Sequence, residues 1–573
     1  MSKFKYVNRY MRYAMTAFAA IAIASCGFND DEEDEPDPVP GDPFPDVEES
    51  YLLSPETESA TTLPGDGSIE NPFLIRNAME LKLFTELVNN GGFRRNEEDI
   101  TASTFVNLTH DIEIADDYSW TPIGSCANPF DGVFNGQGHC ISGTLRITSV
   151  PEEARPTPET GIVWSTNKAG FFGYADGAEI SQIRLSADVY LPTMSSYDYC
   201  GSLVALANNT SIHHVTYEGT MIVPVAKSIP PAQLHLGGIA GYTITGYFYD
   251  NDMNGHMRFG TDNLPSKKII ALQSNIGGLI GTERSTTITK CNNSADISID
   301  AGNAFRLRVG GIAGYRMADG NVPNYELLTL VMNEGDITIG KILETRVDGQ
   351  SPMAYIGGIY GDGGEDNGEY CNNINSGDIT VGETRITSYV GGIAGMAYKY
   401  SVNGAVNTGR ISNSASKGCT GGCYGCVIGD IRNLGNSGEV ISRIKSGTEE
   451  SGVDSGWTGG IAGYSSGAIT RCNNEGDVTS GKDREWNGVP VSLAGAIAGS
   501  AAGTIALDNT NYGTVNGHEA SSPSDPTIFV GETWLAWEMI LDGTLTPTSN
   551  KAAFTHFFDK ISRTCPFYQW PIY

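Results

Sequence analysis

Basic charge is what this chain has least of. Its 573 residues include 36 Lys or Arg against 67 Asp or Glu, a formal net charge of −31. So acidic a surface repels phosphate, which argues against nucleic acid and against adsorption to anionic headgroups through the protein surface. Charge of either sign is sparse, at 18%, and long helical periodicity is nearly missing, which excludes a helical bundle. Apart from a short N-terminal run, no apolar stretch approaches the roughly 20 residues of a membrane-spanning helix. His-Glu-x-x-His, Gly-x-Ser-x-Gly and phosphate-loop motifs do not occur, so the chemistries they support have no footing here.

Glycine is abundant, at 71 residues, and it is ordered. Gly-Gly-Ile-Ala-Gly-Tyr stands at 237–242, 310–315 and 459–464, with variants at Gly277–Gly281, Gly357–Gly361 and Gly391–Gly395. Each copy is followed by a second block ending in Asn-x-Gly-x-Ile/Val, as in Cys472–Val478 and Val331–Ile337. A period of roughly 30–45 residues means stacked units whose core grows along one axis. Alternate residues of a strand share a face. Cys472, Asn474, Gly476 and Val478 should therefore point one way. The position of Cys472 holds Cys, Val, Leu434 or Ala405 in other copies, which marks it as apolar and internal. Two places on, Asn293, Asn333, Asn375, Asn407, Asn436, Asn474 and Asn511 recur. Stacked asparagines can bond along the coils and satisfy turn carbonyls.

The opening block adds Phe130-Asp131-Gly132-Val133-Phe134-Asn135-Gly136-Gln137-Gly138-His139-Cys140-Ile141-Ser142-Gly143. With the glycine-pair copies behind it, this resembles bacterial surface proteins with GLUG-type repeats, over roughly residues 65–517. The resemblance implies an all-β fold, a right-handed parallel β-helix. Gly170-Phe171-Phe172-Gly173-Tyr174 and Leu493-Ala494-Gly495-Ala496-Ile497-Ala498-Gly499 are drifted copies.

The ends read differently. Lys3, Lys5, Arg9 and Arg12 precede an apolar run, Ala14 to Ala24, and Ile23-Ala24-Ser25-Cys26 follows. This resembles a bacterial lipoprotein signal (1–25) whose lipobox makes Cys26 the lipid-modified residue. Residues 26–62, acidic and then proline-rich, have little to bury and read as an extended tether. An acidic run behind the lipid cysteine also resembles a surface-export tag; otherwise it is a solvated spacer. Residues 63–150 should form an N-terminal cap and first coils. Asn77 and Glu80 there suit a capping box, and Leu83, Phe84, Leu87 and Val88 an apolar helix face. The repeats should fill 151–523. A C-terminal cap should fill 524–573, where Trp534, Leu535, Trp537 and Ile540, and then Phe554, Phe557, Phe558 and Ile561, have helical spacing. The aromatic end, Pro566–Pro571, is open to a ligand-binding reading.

Chemistry candidates are few. Cys419, Cys423 and Cys426 have metal-like spacing and could also form a local disulfide, but Cys423 and Cys426 fall on the Ile and Tyr of the glycine repeat, so packing is the reading adopted and no metal site is assigned. Cys126 and Cys140 flank one block and could pair. Asp362, Glu365, Asp366 and Glu369 gather around a turn that is either solvated or oxygen-rich enough for Ca²⁺. Arg306 and Arg308 read as an exposed strand face. His213 and His214, adjacent in a strand, should face opposite sides. No carboxylate pair is singled out, and no catalytic residue or cofactor is assigned. The resulting expectation is a lipid-anchored, non-enzymatic protein of the outer membrane and cell surface. It would meet a glycan or surface-protein ligand through inserts at 223–234, 341–355 and 442–456, and no nucleic acid. The alternatives are a polysaccharide lyase or glycosidase on the same scaffold, or a structural stalk.

Overall fold

Most strands have two to five residues, and, separated by glycines and tight turns, they cannot hold one another within a coil. They pair instead with the same segment of the next coil. A computed structural model of the chain describes residues 51–92, 104–147, 167–192, 197–223, 233–259, 273–317, 328–344, 351–363, 371–444, 455–481 and 484–566. Among these, three sheets of 27, 10 and 11 strands run through the repeats. The pairing is parallel, except in one hairpin of Arg484–Trp486 with Val489–Val491 and an isolated bridge between Val515 and His518. The fold is a parallel β-helix. One coil shows the plan: Gln273–Gly277 lies in the ten-stranded sheet, Ile280–Arg284 in the eleven-stranded sheet, and Thr287–Thr289, Asn292–Asn293 and Ile297–Ala304 in the long sheet.

The predicted faces hold. Cys472, Asn474, Gly476 and Val478 are all buried, while Glu475 and Asp477 between them are exposed. Ile239, Ile312, Ile393 and Ile461 are fully buried. They form one column with Leu279, Ile359, Cys423 and Ile497, each joined to the next coil by backbone bonds of 2.8–3.1 Å. The drifted copies keep the register, with Phe171 and Ile497 in this column.

The seven asparagines form a ladder. From Asn293 to Asn474 each Nδ2 donates to Oδ1 of the asparagine in the next coil, six bonds of 2.7–2.8 Å over sequence separations of 29 to 42 residues. The other Nδ2 hydrogen goes to the carbonyl two residues on, such as Gly377 O or Gly409 O. The first six ladder side chains each pack on the second glycine of a pair; in the last coil Ala496 holds that place. A Cβ at Gly311 or Gly358 would collide with Asn333 or Asn375. That contact, rather than a special φ, is why the second glycine recurs. The position two before the ladder is internal, but not always apolar. Asn251, Asn373 and Asn509 also occupy it, fully buried. Their side chains take a neighbouring coil's backbone N–H and C=O groups, as Asn251 does with Val215 N and Ile212 O.

The ends are closed by helices. α1 (Ala78–Asn89) is capped by Asn77, whose Oδ1 accepts from Glu80 N. The Glu80 carboxylate reaches back to Arg76 N and the Arg76 guanidinium, one residue before the expected partner. The fully buried face is Leu81, Phe84 and Val88, with Leu83 and Leu87 only partly covered. Phe84 packs on Phe130 and Phe134. Order also begins earlier than residue 63: Leu52–Leu53 pairs with Ile112–Ile114. Phe105–Leu108 and Cys140–Arg146 continue the first coils. At the other end, Trp534 on α2 (Gly531–Leu541) joins the main core and donates from Nε1 to Ala494 O. Trp537 and Ile540 turn to a second cluster with Phe557 and Ile561 of α3 (Lys551–Thr564). The signal segment, Cys26 and most of the tether lie outside the described residues, as do 224–232, 345–350 and 445–454 of the expected inserts and residues 567–573 of the aromatic end.

Two substitutions check this packing. Ile393→Ala should cost about 2–5 kcal/mol, from lost burial plus a cavity, read as a lowered denaturation midpoint. Gly358→Ala, though smaller in volume change, should be at least as damaging because its methyl group has only the ladder and backbone to push against.

Candidate functional site

The repeat has two interiors. One is the main core. The other is a narrow seam between the ten- and eleven-stranded sheets, where the strands on either side of Gly-Gly-Ile face each other. Register sets Tyr199, His235, Asn275, Arg308, Tyr355, Tyr389 and Cys419 in one file. Tyr242, Thr282, Tyr315, Asp362, Met396, Cys426 and Tyr464 stand opposite. Arg308 is thus not an exposed strand residue. Its Nε donates to Asp362 Oδ2 at 2.6 Å, its guanidinium also reaches Asn275 Oδ1 at 3.1 Å, and it lies 3.9 Å over the Tyr315 ring. Asp362 correspondingly leaves the solvated acidic turn. Burial pushes its carboxyl above its ordinary value, and Arg308 opposes that shift. Glu365, Asp366 and Glu369 lie outside the described residues.

The cysteine cluster is divided between the two interiors. Cys423 stands in the isoleucine column of the main core, and Cys419 and Cys426 are buried in the seam beside Trp457. Among the described residues no group of three or more His, Cys, Asp or Glu is arranged to hold a metal. Cys126 and Cys140 are not joined as a disulfide. The seam is closed and packed, which fits a structural role.

The outer face of the long sheet offers a different surface. Tyr-Phe-Tyr at 247–249 buries Phe248 fully and turns both tyrosines outward. Their rings are parallel to within 7°, with centroids 6.1 Å apart. Lys290, in the next coil, donates to Tyr249 Oη at 3.1 Å. That bond holds the lysine pKa above its ordinary value. In the preceding coil, His214 packs edge-on against Tyr249, centroids 5.5 Å apart. His213 Nε2 lies 3.3 Å from Glu179 Oε1, and His214 Nε2 3.3 Å from Asp250 Oδ2. The expectation that the two histidines face opposite sides fails. His214 has φ 54°, in a left-handed row shared with Gln182, Asp250, Lys290 and Leu330. Strand alternation is broken at every coil there, and the two Nδ1 atoms come within 2.9 Å. The patch combines flat apolar rings, a cation, carboxylates and imidazoles, the mixture that binds amphipathic ligands. Sequence reasoning missed Tyr247, Tyr249 and Lys290, although the alternation around Phe248 was there to be read.

Surface acids behave otherwise. Asp296, Asp336 and Asp378 stand in successive coils, and each has an oxygen accepting the backbone N–H of the next coil's Asp336, Asp378 or Arg410 at 2.8 Å. They are rungs of the scaffold rather than carboxylates converging from separate elements, as glycosidase chemistry requires.

The seam yields a pH prediction. His235 is buried, accepts at Nδ1 from the Thr282 hydroxyl (2.7 Å) and lies 3.3 Å from Gln233 Oε1 through Nε2. Burial, helped by Arg308, lowers its pKa to about 3. The unfolded chain therefore takes up a proton near pH 6.5 that the folded chain refuses. Stability should fall as pH drops from about 6.5 towards 3, by about 2 kcal/mol at pH 5 from this group. His235→Asn, which copies Asn275 one coil on, should flatten the pH dependence of the denaturation midpoint between pH 7 and 5. No protein-family model, curated protein or solved structure matches this chain.

Proposed function

We propose that this protein is a lipid-anchored, non-enzymatic cell-surface solenoid that binds a glycan through the outer face around Tyr247 and Tyr249. The single observation behind the reading is the pair of parallel, outward tyrosine rings with Lys290 and the His213–His214 cluster at their edge. A sugar ring has an apolar face and a polar rim, and such a surface offers partners for both. The anchor rests on the segment before Cys26, whose order of basic, apolar and small residues is that of a lipoprotein signal,. The acidic stretch behind it serves as the spacer that brings the solenoid to the cell surface. Inserts between coils would add specificity from the same scaffold.

Two experiments test these halves separately. Tyr249→Ala and Tyr247→Ala should each weaken binding to the best glycan-array hit about 10-fold or more, with unchanged circular dichroism, and no reducing ends should be released. Equal binding by both variants removes the platform. Turnover abolished by replacing a single Asp or Glu makes the protein a carbohydrate-active enzyme instead. A protein bound through the same tyrosines leaves the site standing but replaces the glycan. For the anchor, Cys26→Ala should release the protein from the membrane fraction or stall its processing. A correctly processed Cys26→Ala protein that stays in the membrane contradicts lipidation.

A further inference from the structure

We infer that His213 and His214 form a two-nitrogen site for a divalent transition-metal ion, with Cu²⁺ or Ni²⁺ as the best fit. A neutral imidazole carries one N–H and one lone pair. His213 Nε2 is directed at Glu179 Oε1 and His214 Nε2 at Asp250 Oδ2, both at 3.3 Å. Glu179, within hydrogen-bond reach, places the hydrogen of His213 on Nε2, and Asp250, at ion-pair distance, favours the same placement on His214. With both hydrogens there, the two Nδ1 atoms, 2.9 Å apart, present their lone pairs to one space; in the other tautomer one proton links them as a hydrogen bond. A divalent ion set beside the pair takes both lone pairs and replaces that proton. A carboxylate behind each ligating histidine is the usual support of metal-bound imidazole.

The spacing selects the ion. Metal–nitrogen bonds of about 2.0–2.1 Å to atoms 2.9 Å apart enclose an angle of about 90°. That is a cis pair of a square-planar or octahedral centre, which suits Cu²⁺ or Ni²⁺; tetrahedral Zn²⁺ would need the nitrogens about 3.3 Å apart. The rings meet at 80°, centroids 5.1 Å apart, and the histidine side chains are 24% and 45% exposed. Water or an external ligand can therefore fill the other positions. The left-handed turn that brings the rings together recurs in the neighbouring coils. The scaffold supplies the geometry, and only the residue types are particular to this coil. The site does not depend on glycan binding.

The test uses purified protein and CuCl₂ alone, followed by calorimetry and electron paramagnetic resonance. One equivalent should bind with a spectrum showing two nitrogen ligands. His213→Ala and His214→Ala should each lose at least 10-fold in affinity, with unchanged circular dichroism, and His256→Ala, an exposed histidine elsewhere, should not. Glu179→Gln and Asp250→Asn should keep the two-nitrogen spectrum but weaken binding about 10-fold or more. Binding unaltered in the His213→Ala/His214→Ala double variant overturns the proposal. So does the lack of any two-nitrogen signal, which would assign the 2.9 Å contact to a shared proton.

Discussion

Everything in this solenoid is arranged around a hydrogen-bonded file of asparagine side chains inside it. Between the two ends of the file, each amide donates once along it and once to its own turn, and accepts from the coil before. Buried polar groups are costly unless satisfied, and cooperative when they are. Such a file therefore fixes which residue of one coil lies over which residue of the next. A one-residue slip would leave an amide facing an apolar neighbour and turn every alternate side chain to the wrong surface. The second glycine of the pair follows from the same file, because the corner backbone must come within contact of the amide. Before Asn293 the same place is taken by Met253 and Tyr217, and the early coils rely on aromatic packing through Phe130, Phe134, Phe171 and Phe172 instead.

With register set inside, residues elsewhere are released from that task. The seam tolerates a sequence as varied as His235, Asn275, Arg308, Tyr355 and Cys419 because partners come from the opposite strand of a fixed pair. A buried ion pair there contributes little net stability once desolvation is counted, but breaking it leaves a lone buried charge. Glu283 and Arg316, also buried and 2.6 Å apart, obey the same rule. Outside, the rows of Asp296, Asp336 and Asp378 tie coil to coil, and the patch around Tyr249 is free to take up chemistry. A repeat with neighbour-only contacts can change one coil's exterior without disturbing the others.

The sequence carried the fold better than the site. Fold class, the isoleucine column, the asparagine file and the place of Cys423 were legible because each is a repeated choice, visible wherever the repeat recurs. Features that occur once were harder. Arg308 and Asp362 meet across 54 residues, and nothing local to either shows that they face one another inside a seam. Asn251, Asn373 and Asn509 were hidden by a rule drawn from Cys472, Val331, Leu434 and Ala405, since size and satisfied bonding matter at that position more than polarity. His213 and His214 were misread because alternation was assumed to run through a residue that takes the left-handed conformation.

The central claim is that the asparagine file, rather than the apolar columns alone, locks the coils in register. Hydrogen exchange of the backbone amides in Asn375→Ala, compared with Asn292→Ala on the outer face, tests it most directly. The file account predicts that protection falls in the mutated coil and in both flanking turns, around Asn333–Ile337 and Asn407–Ile411, while Asn292→Ala leaves all three as in the parent protein. Loss of protection confined to residues beside position 375, or equal in the two variants, would contradict it.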